Sequence, residues 1–305
     1  MARKNGRRSR PSGPSRPPDK PPITKDLPFK RGEWDTPAGR EAVQSFANKR
    51  GYPHQLHDFQ VENVARILDG IHTFAVSATG SGKSALIAVP ALLYPERITI
   101  VTEPTILLEE DMAMNLQAMG LRTAVINGET LSKASQEKRD LWDEALRLKY
   151  QIVIISPELL RCDDCFRLTG DEIFSKYWTH TVFDEAHLTD EWGEEFRPDF
   201  GNLGGLRSRG GPHVTYTALT ATLEPGRQTT VVLERLGFTK GDFFFDRRDC
   251  ERTNIDIIMR PTQYTFGGYR LRDLDWLIPE HMSSVSDIEK TIVFGSTIDL
   301  THRIS

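Results

Sequence analysis

The chain has 305 residues, 38% hydrophobic and 27% charged, the balance of a soluble globular protein with room for one large or two modest domains. Its formal charge of −4 hides a segregation: residues 1–31 hold ten Lys/Arg against Asp19 and Asp26, a net of +8, so the remainder carries −12. No apolar run is long enough for a membrane span, no apolar core follows the N-terminal charges as in a secretory signal, and three cysteines make no disulfide framework, so an intracellular protein with no membrane partner is expected.

The first element in chain order is an arm, residues 1–33, whose Pro-, Ser- and Gly-rich stretch RPSGPSRPPDKPP cannot bury enough apolar surface to offset its ordering entropy and is expected to be disordered. Its run RKNGRRSR has the composition of a nuclear-import signal, of a phosphate-binding tail or of a merely solvated segment. From about residue 34 to 250 short β-branched runs alternate with stretches of helical spacing. The strand candidates are TFAVSAT, ITIVTEP, TAVIN, QIVIISP, HTVFDEAH and TYTALTAT; ILLEEDMAMNLQAM, ASQEKRDLWDEALRLK and QTTVVLERLGF read as helices. Nearly continuous apolar strands alternating with helices predict a doubly wound α/β domain with a parallel sheet covered on both faces. Residues 251–305 then carry RRDCERTNIDIIMRP, a helical segment near LRDLDWLIPEHM, and TIVFGSTIDLTHRIS, read as a strand, a turn and the start of a helix. Cys162 and Cys165 form one C-x-x-C, but with only Cys250 and scattered histidines beside it no zinc site is expected.

Three stretches carry chemistry. SATGSGKS, residues 77–84, lies between a strand and a helix. Gly80 and Gly82 let the backbone bend so that the loop amides, those of Thr79 and Ser81 included, approach phosphates; Lys83 neutralises the β- and γ-phosphates, and the Ser84 hydroxyl is placed to ligand Mg2+. Ser77 takes the position that the strict G-x-x-x-x-G-K-[ST] pattern gives to its first glycine. A strand ending in Asp184-Glu185-Ala186-His187 supplies one carboxylate, Asp184, to hold the metal and a second, Glu185, to orient and activate water. Thr220 and Thr222, in ALTAT at another strand end, bring hydroxyls suited to bonding the carboxylates or sensing the γ-phosphate.

With these residues the sequence resembles a superfamily 2 helicase, and within that group the RecQ family of ATP-dependent DNA helicases. ATGSGKS resembles the family's motif I, DEAH (including His187) its motif II and ALTAT its motif III. HLTDEWGEEFRPDFGNLGGLR is similar to the RecQ aromatic-rich loop, a run that DEAD-box RNA helicases do not carry. The resemblance implies a RecA-like P-loop NTPase domain with a parallel sheet flanked by helices, plus the start of a second RecA-like domain, with ATP and Mg2+ as cofactors. It implies single-stranded and tailed duplex DNA as substrate, unwound in the 3′ to 5′ direction. Trp192, Phe196 and Arg197 are then an aromatic platform and a cation for single-stranded DNA, since bases stack on aromatic faces for about 1–3 kcal/mol each.

The same resemblance assigns Gln60, in RGYPHQLHDFQVENVARIL, to the adenine edge, with His57 where the family has an arginine. It assigns Ser156 and Arg161 to the DNA backbone, and it puts Glu103-Pro104-Thr105 where the family has Ser-Pro-Leu, so that an acid faces the expected phosphate contact. RRDCERTNIDI resembles the family's interdomain link and VFGST its motif IV. The arginine finger belongs to segments beyond this sequence, so the chain is expected to be the N-terminal motor half, a fragment or a truncated product, that binds ATP and hydrolyses it slowly. Two other readings stay open: a nucleotide-dependent DNA-binding or regulatory module that does not turn over, and an RNA helicase, which WGEEFRP disfavours.

Overall fold

The computed structural model describes residue 27 and residues 29–191, 198–264, 271–277, 281, 284 and 290–304, in two compact units, one ending at Glu251 and the other beginning at Arg252. In the first unit the order is α1 (Pro37–Lys49), α2 (Asp58–Asp69), β1 (His72–Val76), α3 (Ala85–Leu93), β2 (Ile98–Thr102), α4 (Ile106–Ala118), β3 (Thr123–Ile126), α5 (Gly128–Gln136) and α6 (Leu141–Leu146). It continues with β4 (Ile152–Ile155), α7 (Asp163–Gly170), α8 (Glu172–Tyr177), β5 (Trp178–Phe183), α9 (Leu188–Glu191), β6 (Thr215–Thr220), α10 (Arg227–Arg235) and β7 (Phe243–Arg247). The seven strands form one sheet in the order β3-β4-β2-β5-β6-β1-β7, and every pairing is parallel.

Both faces are covered, and the period of two along each strand decides which layer a side chain joins. Phe74 and Val76 of β1 pack with Trp142, Leu168, Phe174 and Val232 from one helical layer, whereas Ala75 joins Val43, Val64, Leu86 and Leu116 from the other. Val153 and Ile155 of β4 face the first layer, Ile152 and Ile154 the second. α3, ALIAVPALL, buries every residue, as a helix that is apolar all round must. Each such Leu or Ile contributes about 1.5–3 kcal/mol of burial, so the helix that begins just after SATGSGKS is anchored by the core. The chain before α1 is held by Asp69 at the end of α2, whose carboxylate accepts from the amides of Gly32, Trp34 and Asp35 at 2.7, 2.9 and 2.7 Å.

All six strands expected within residues 34–250 are present. ASQEKRDLWDEALRLK is not one helix: Lys138 adopts φ 58°, and the Asp140 side chain accepts from Asp143 N at 3.1 Å to start α6 afresh. The sequence reading missed β7, FFFDR, which pairs with β1 at the sheet edge. In the second unit LRDLDWLIPEHM yields a 3₁₀ turn over Arg272–Leu277, and the expected helix start is α11 (Ile298–Ile304). TIVFG is not a strand: Ile292 and Phe294 are exposed and no described residue offers it a ladder, without which an extended segment has nothing to fix it. Among the described residues no helix is long and apolar enough to cross a membrane. Cys162 caps α7 by accepting from Cys165 N at 3.4 Å, and burial pushes the Cys165 thiol up to about 11.

His180, in the middle of the sheet, is 4% exposed, and its Nε2 pairs with Thr217 Oγ1 at 2.9 Å. Burial lowers its pKa to about 3, so the folded chain holds it neutral while the unfolded chain protonates it below about 6.5. The unfolded state therefore binds more protons between those values, and this contribution to stability is complete above pH 6.5 and lost as pH falls toward 3. Denaturant titrations across that window should show stability falling on acidification, with a slope reduced by about one proton in His180→Gln.

Candidate active site

The four central strands β2, β5, β6 and β1 point the same way, so the residues that follow them emerge along one edge of the sheet: Glu103, Asp184-Glu185, Ala221-Thr222 and Ser77. The ladder continues one step past the strands. Ser77 N donates to Thr220 O at 3.0 Å, Asp184 N to Thr102 O at 3.1 Å, and Ala186 N to Leu219 O at 2.9 Å. Open α/β sheets take ligands at this carboxyl edge, where the strand order reverses.

In SATGSGKS, Gly80 and Gly82 have φ of 80° and 77°, the left-handed region that other residues enter at a cost. Among the described residues the amides of Gly82, Lys83 and Ser84 donate to no backbone acceptor, so an anion-binding concavity precedes α3. Lys83 Nζ donates to the carbonyls of Ser77 and Ala78 at 3.2 and 3.4 Å, and the Ser77 and Ser81 hydroxyls pair at 2.9 Å. Thr79 and Ser84 are exposed.

Gln60 lies beside this loop but is not turned out toward a base. Its Oε1 accepts from His57 N at 2.8 Å, and its Nε2 donates to the carbonyls of Ser81 and Gly82 at 3.1 and 2.8 Å. A Cβ at residue 82 would stand 2.5 Å from that Nε2, so Gly82 is also what lets the loop meet α2.

The acidic box is joined to the TAT strand by side chains. His187 Nδ1 lies 2.9 Å from Thr220 Oγ1 and 3.3 Å from Glu185 Oε2; with its proton on Nδ1 the imidazole donates to the Thr220 hydroxyl and stands beside the Glu185 carboxylate. The Thr220 hydroxyl in turn donates to Thr222 O and accepts from Thr222 N, both at 3.3 Å. Glu185 has φ 46°, a conformation that costs a non-glycine residue about 1–3 kcal/mol and turns the chain sharply off β5.

Glu103, Asp184, Glu185, Ser84 and Gly82 share a cavity of about 420 Å³. Burial raises the Asp184 pKa, against a lowering from the Glu185 amide that donates to it at 2.8 Å. Burial raises the Glu103 pKa as well, and the Asp184 and Glu185 carboxylates add to it. The donor set, one hydroxyl and carboxylates, is all oxygen and suits a hard divalent cation, and the free amides beside it suit phosphate. The residues present therefore fit a metal-bound nucleoside triphosphate.

Not every expected residue joins this site. Ser156 is buried, and its hydroxyl donates to Glu109 at 2.5 Å, in a network where Asn127 Nδ2 donates to Glu109 at 2.7 Å; the hydroxyl assigned to a DNA phosphate is committed inside the fold. Arg161 is exposed at the end of a 3₁₀ turn, Pro157–Arg161. Trp192, Phe196 and Arg197 lie outside the described residues. Glu103, read from sequence as an acid facing DNA phosphate, is instead 3% exposed and inside the cavity. Register held the signal: Thr102 lies opposite Phe183, so the next residues, Glu103 and Asp184, leave the sheet side by side.

Residues 57–230 match the family model described as DEAD/DEAH box helicase. The chain is 34% identical over 174 residues to the ATP-dependent DNA helicase RecQ of Haemophilus influenzae, covering 57% of this chain and 26% of the relative. To the mouse ATP-dependent DNA helicase Q5 it is 38% identical over 162 residues, 52% of this chain and 16% of the relative. The chain thus spans less than a third of either. Among solved structures, a DEAD box protein from Methanococcus jannaschii aligns at TM-score 0.47 and 20% identity, over 67% of this chain and 52% of that one.

The Thr220 hydroxyl links the acidic box to the TAT strand while its backbone carbonyl supports the loop. Thr220→Val should therefore leave nucleotide affinity near wild type and slow hydrolysis by up to about tenfold, the worth of one net hydrogen bond, as read by equilibrium binding beside single-turnover assays.

Proposed function

The chain belongs to the DEAD/DEAH box helicase family, and from that we propose that it is the ATP-binding part of a 3′ to 5′ DNA helicase of the RecQ type, acting on single-stranded and tailed duplex DNA. In this reading residues 34–250 are the ATP-binding domain, 251–305 lead into the second motor domain, and the basic arm serves nuclear import. The observation that supports it is the convergence of SATGSGKS, DEAH and TAT on the carboxyl edge of three adjacent parallel strands, β1, β5 and β6, joined by hydrogen bonds from Ser77 N to Thr220 O and between His187 Nδ1 and Thr220 Oγ1.

The residues divide the work as follows. Lys83 exchanges the Ser77 and Ala78 carbonyls for the β- and γ-phosphates, and the loop amides receive phosphate oxygens at the N-terminus of α3. Ser84 and Asp184 would hold Mg2+, which would offset negative charge on the nucleotide's phosphates. Glu185, fixed by the sharp turn and by His187, orients the attacking water and accepts its proton. Gln60 releases the Ser81 and Gly82 carbonyls to meet the adenine edge, where its amide can donate and accept. Trp192 and Phe196 stack bases and Arg197 meets phosphate, a few residues along the chain from the carboxylates, so that DNA binding reaches the hydrolytic site.

Lys83→Ala should weaken nucleotide binding by ten- to about a hundredfold, the loss of a charge-assisted hydrogen bond. Glu185→Gln should keep binding and lower turnover roughly 10²–10⁴-fold. Single-stranded DNA should stimulate turnover in the wild type and fail to do so in Trp192→Ala. Equal stimulation by RNA would shift the substrate class, and DNA binding with no stimulation at all would reduce the chain to a binding module.

A further inference from the structure

The Glu103 carboxyl is used by none of the steps above, yet it is one of the most enclosed acids in the unit. It is 3% exposed, it lies against Asp184, and its Oε2 is buried with no hydrogen-bond partner. Leaving a buried acceptor unpaired costs about 1–3 kcal/mol, a cost that a serine or an apolar side chain at this position would avoid. Among the described residues no lysine or arginine forms an ion pair with Glu103, Asp184 or Glu185, and Lys83 is turned to the carbonyls of Ser77 and Ala78. The Glu103, Asp184 and Glu185 carboxyls thus line one cavity together with the Ser84 hydroxyl, with no lysine or arginine of the described residues in ion-pair contact with them. Such crowding is relieved by a cation, and hard divalent cations take this kind of oxygen donor.

We propose that Glu103 is a second carboxylate of the divalent-cation site, acting with Asp184 and the Ser84 hydroxyl, so that this chain holds the cation of its nucleotide with one more anionic donor than the phosphate loop and the acidic box provide. This rests on the nucleotide-site reading above and adds the residue that sets how strongly cation and nucleotide depend on each other. Glu103 owes its place to the parallel register of β2 and β5, which sets it beside Asp184; the cation is therefore gripped from two neighbouring strands.

The test is the coupling between metal and nucleotide: the affinity of the full chain for a fluorescent ADP analogue in EDTA against that in saturating Mg2+, repeated with Mn2+. Glu103→Gln keeps the size of the side chain and can still donate a hydrogen bond to Asp184, but it cannot offer a second anion. The proposal expects Glu103→Gln to bind the analogue in EDTA as the wild type does and to lose about 10–100-fold of the metal-dependent gain, approaching Asp184→Asn. Full retention of that gain in Glu103→Gln overturns it and leaves Glu103 as a hydrogen-bond support for Asp184. Should Glu103→Gln fail to bind even in EDTA, Glu103→Asp decides: metal coupling close to wild type supports a carboxylate donor, and coupling as weak as in Asp184→Asn overturns it. Failure of the nucleotide-site reading itself looks different, since the analogue would then bind the wild type and Lys83→Ala alike.

Discussion

Parallel strands lie about 4.8 Å apart and run in one direction, so whatever follows one of them is delivered beside whatever follows its neighbour. In this chain that spacing sets the geometry of the site. β1, β2, β5 and β6 are spread along the sequence from residue 72 to residue 220, yet their first loop residues stand in a row because the ladder reaches one hydrogen bond beyond each strand. Ser77, Thr220, Asp184 and Glu103 therefore need no loop of their own to bring them together. The sheet core, from Phe74 to Ile155, fixes the separation of groups that themselves contribute little to stability.

That edge is where local preference is overruled. Glu185 sits in a left-handed conformation, two glycines of the phosphate loop do the same, and two carboxyls are withdrawn from water beside each other. Each is unfavourable by itself. The compensation lies a few residues away in the fully buried α3 and in strands whose alternate side chains fill two separate layers. A polar cluster of this kind persists because the apolar elements beneath it have no alternative packing of comparable burial.

The sheet and most of its helices were legible because the fold is built from strands that are apolar on both faces, and such runs stand out from the helical spacing between them. β7 escaped because FFFDR is short and is half-exposed at the sheet edge, so it shows no long apolar run. The break at Lys138 escaped because a helical period continues across it, and only the cap at Asp140 marks the restart. TIVFG misled for the opposite reason: composition favours a strand, but a strand exists only with a neighbour. At the site the loop and the DEAH and TAT stretches were readable as chemistry at fixed spacing. The partners of individual side chains were not, since Ser156 with Glu109, Gln60 with the loop carbonyls and Glu103 with Asp184 are contacts between elements that pattern alone does not pair.

Gln60 and Lys83 between them occupy the carbonyls of Ser77, Ala78, Ser81 and Gly82. The phosphate loop therefore carries an internal stand-in for its ligand, drawn from its own cation and from the amide of a neighbouring helix. Part of the ordering entropy is met when the chain folds, and an incoming nucleotide gains only the difference between its contacts and those it replaces. The same arrangement lets the loop re-form its own bonds as a product leaves, so the lowered affinity is matched by an easier exit. A site of this construction favours exchange of whatever anion it holds over retention.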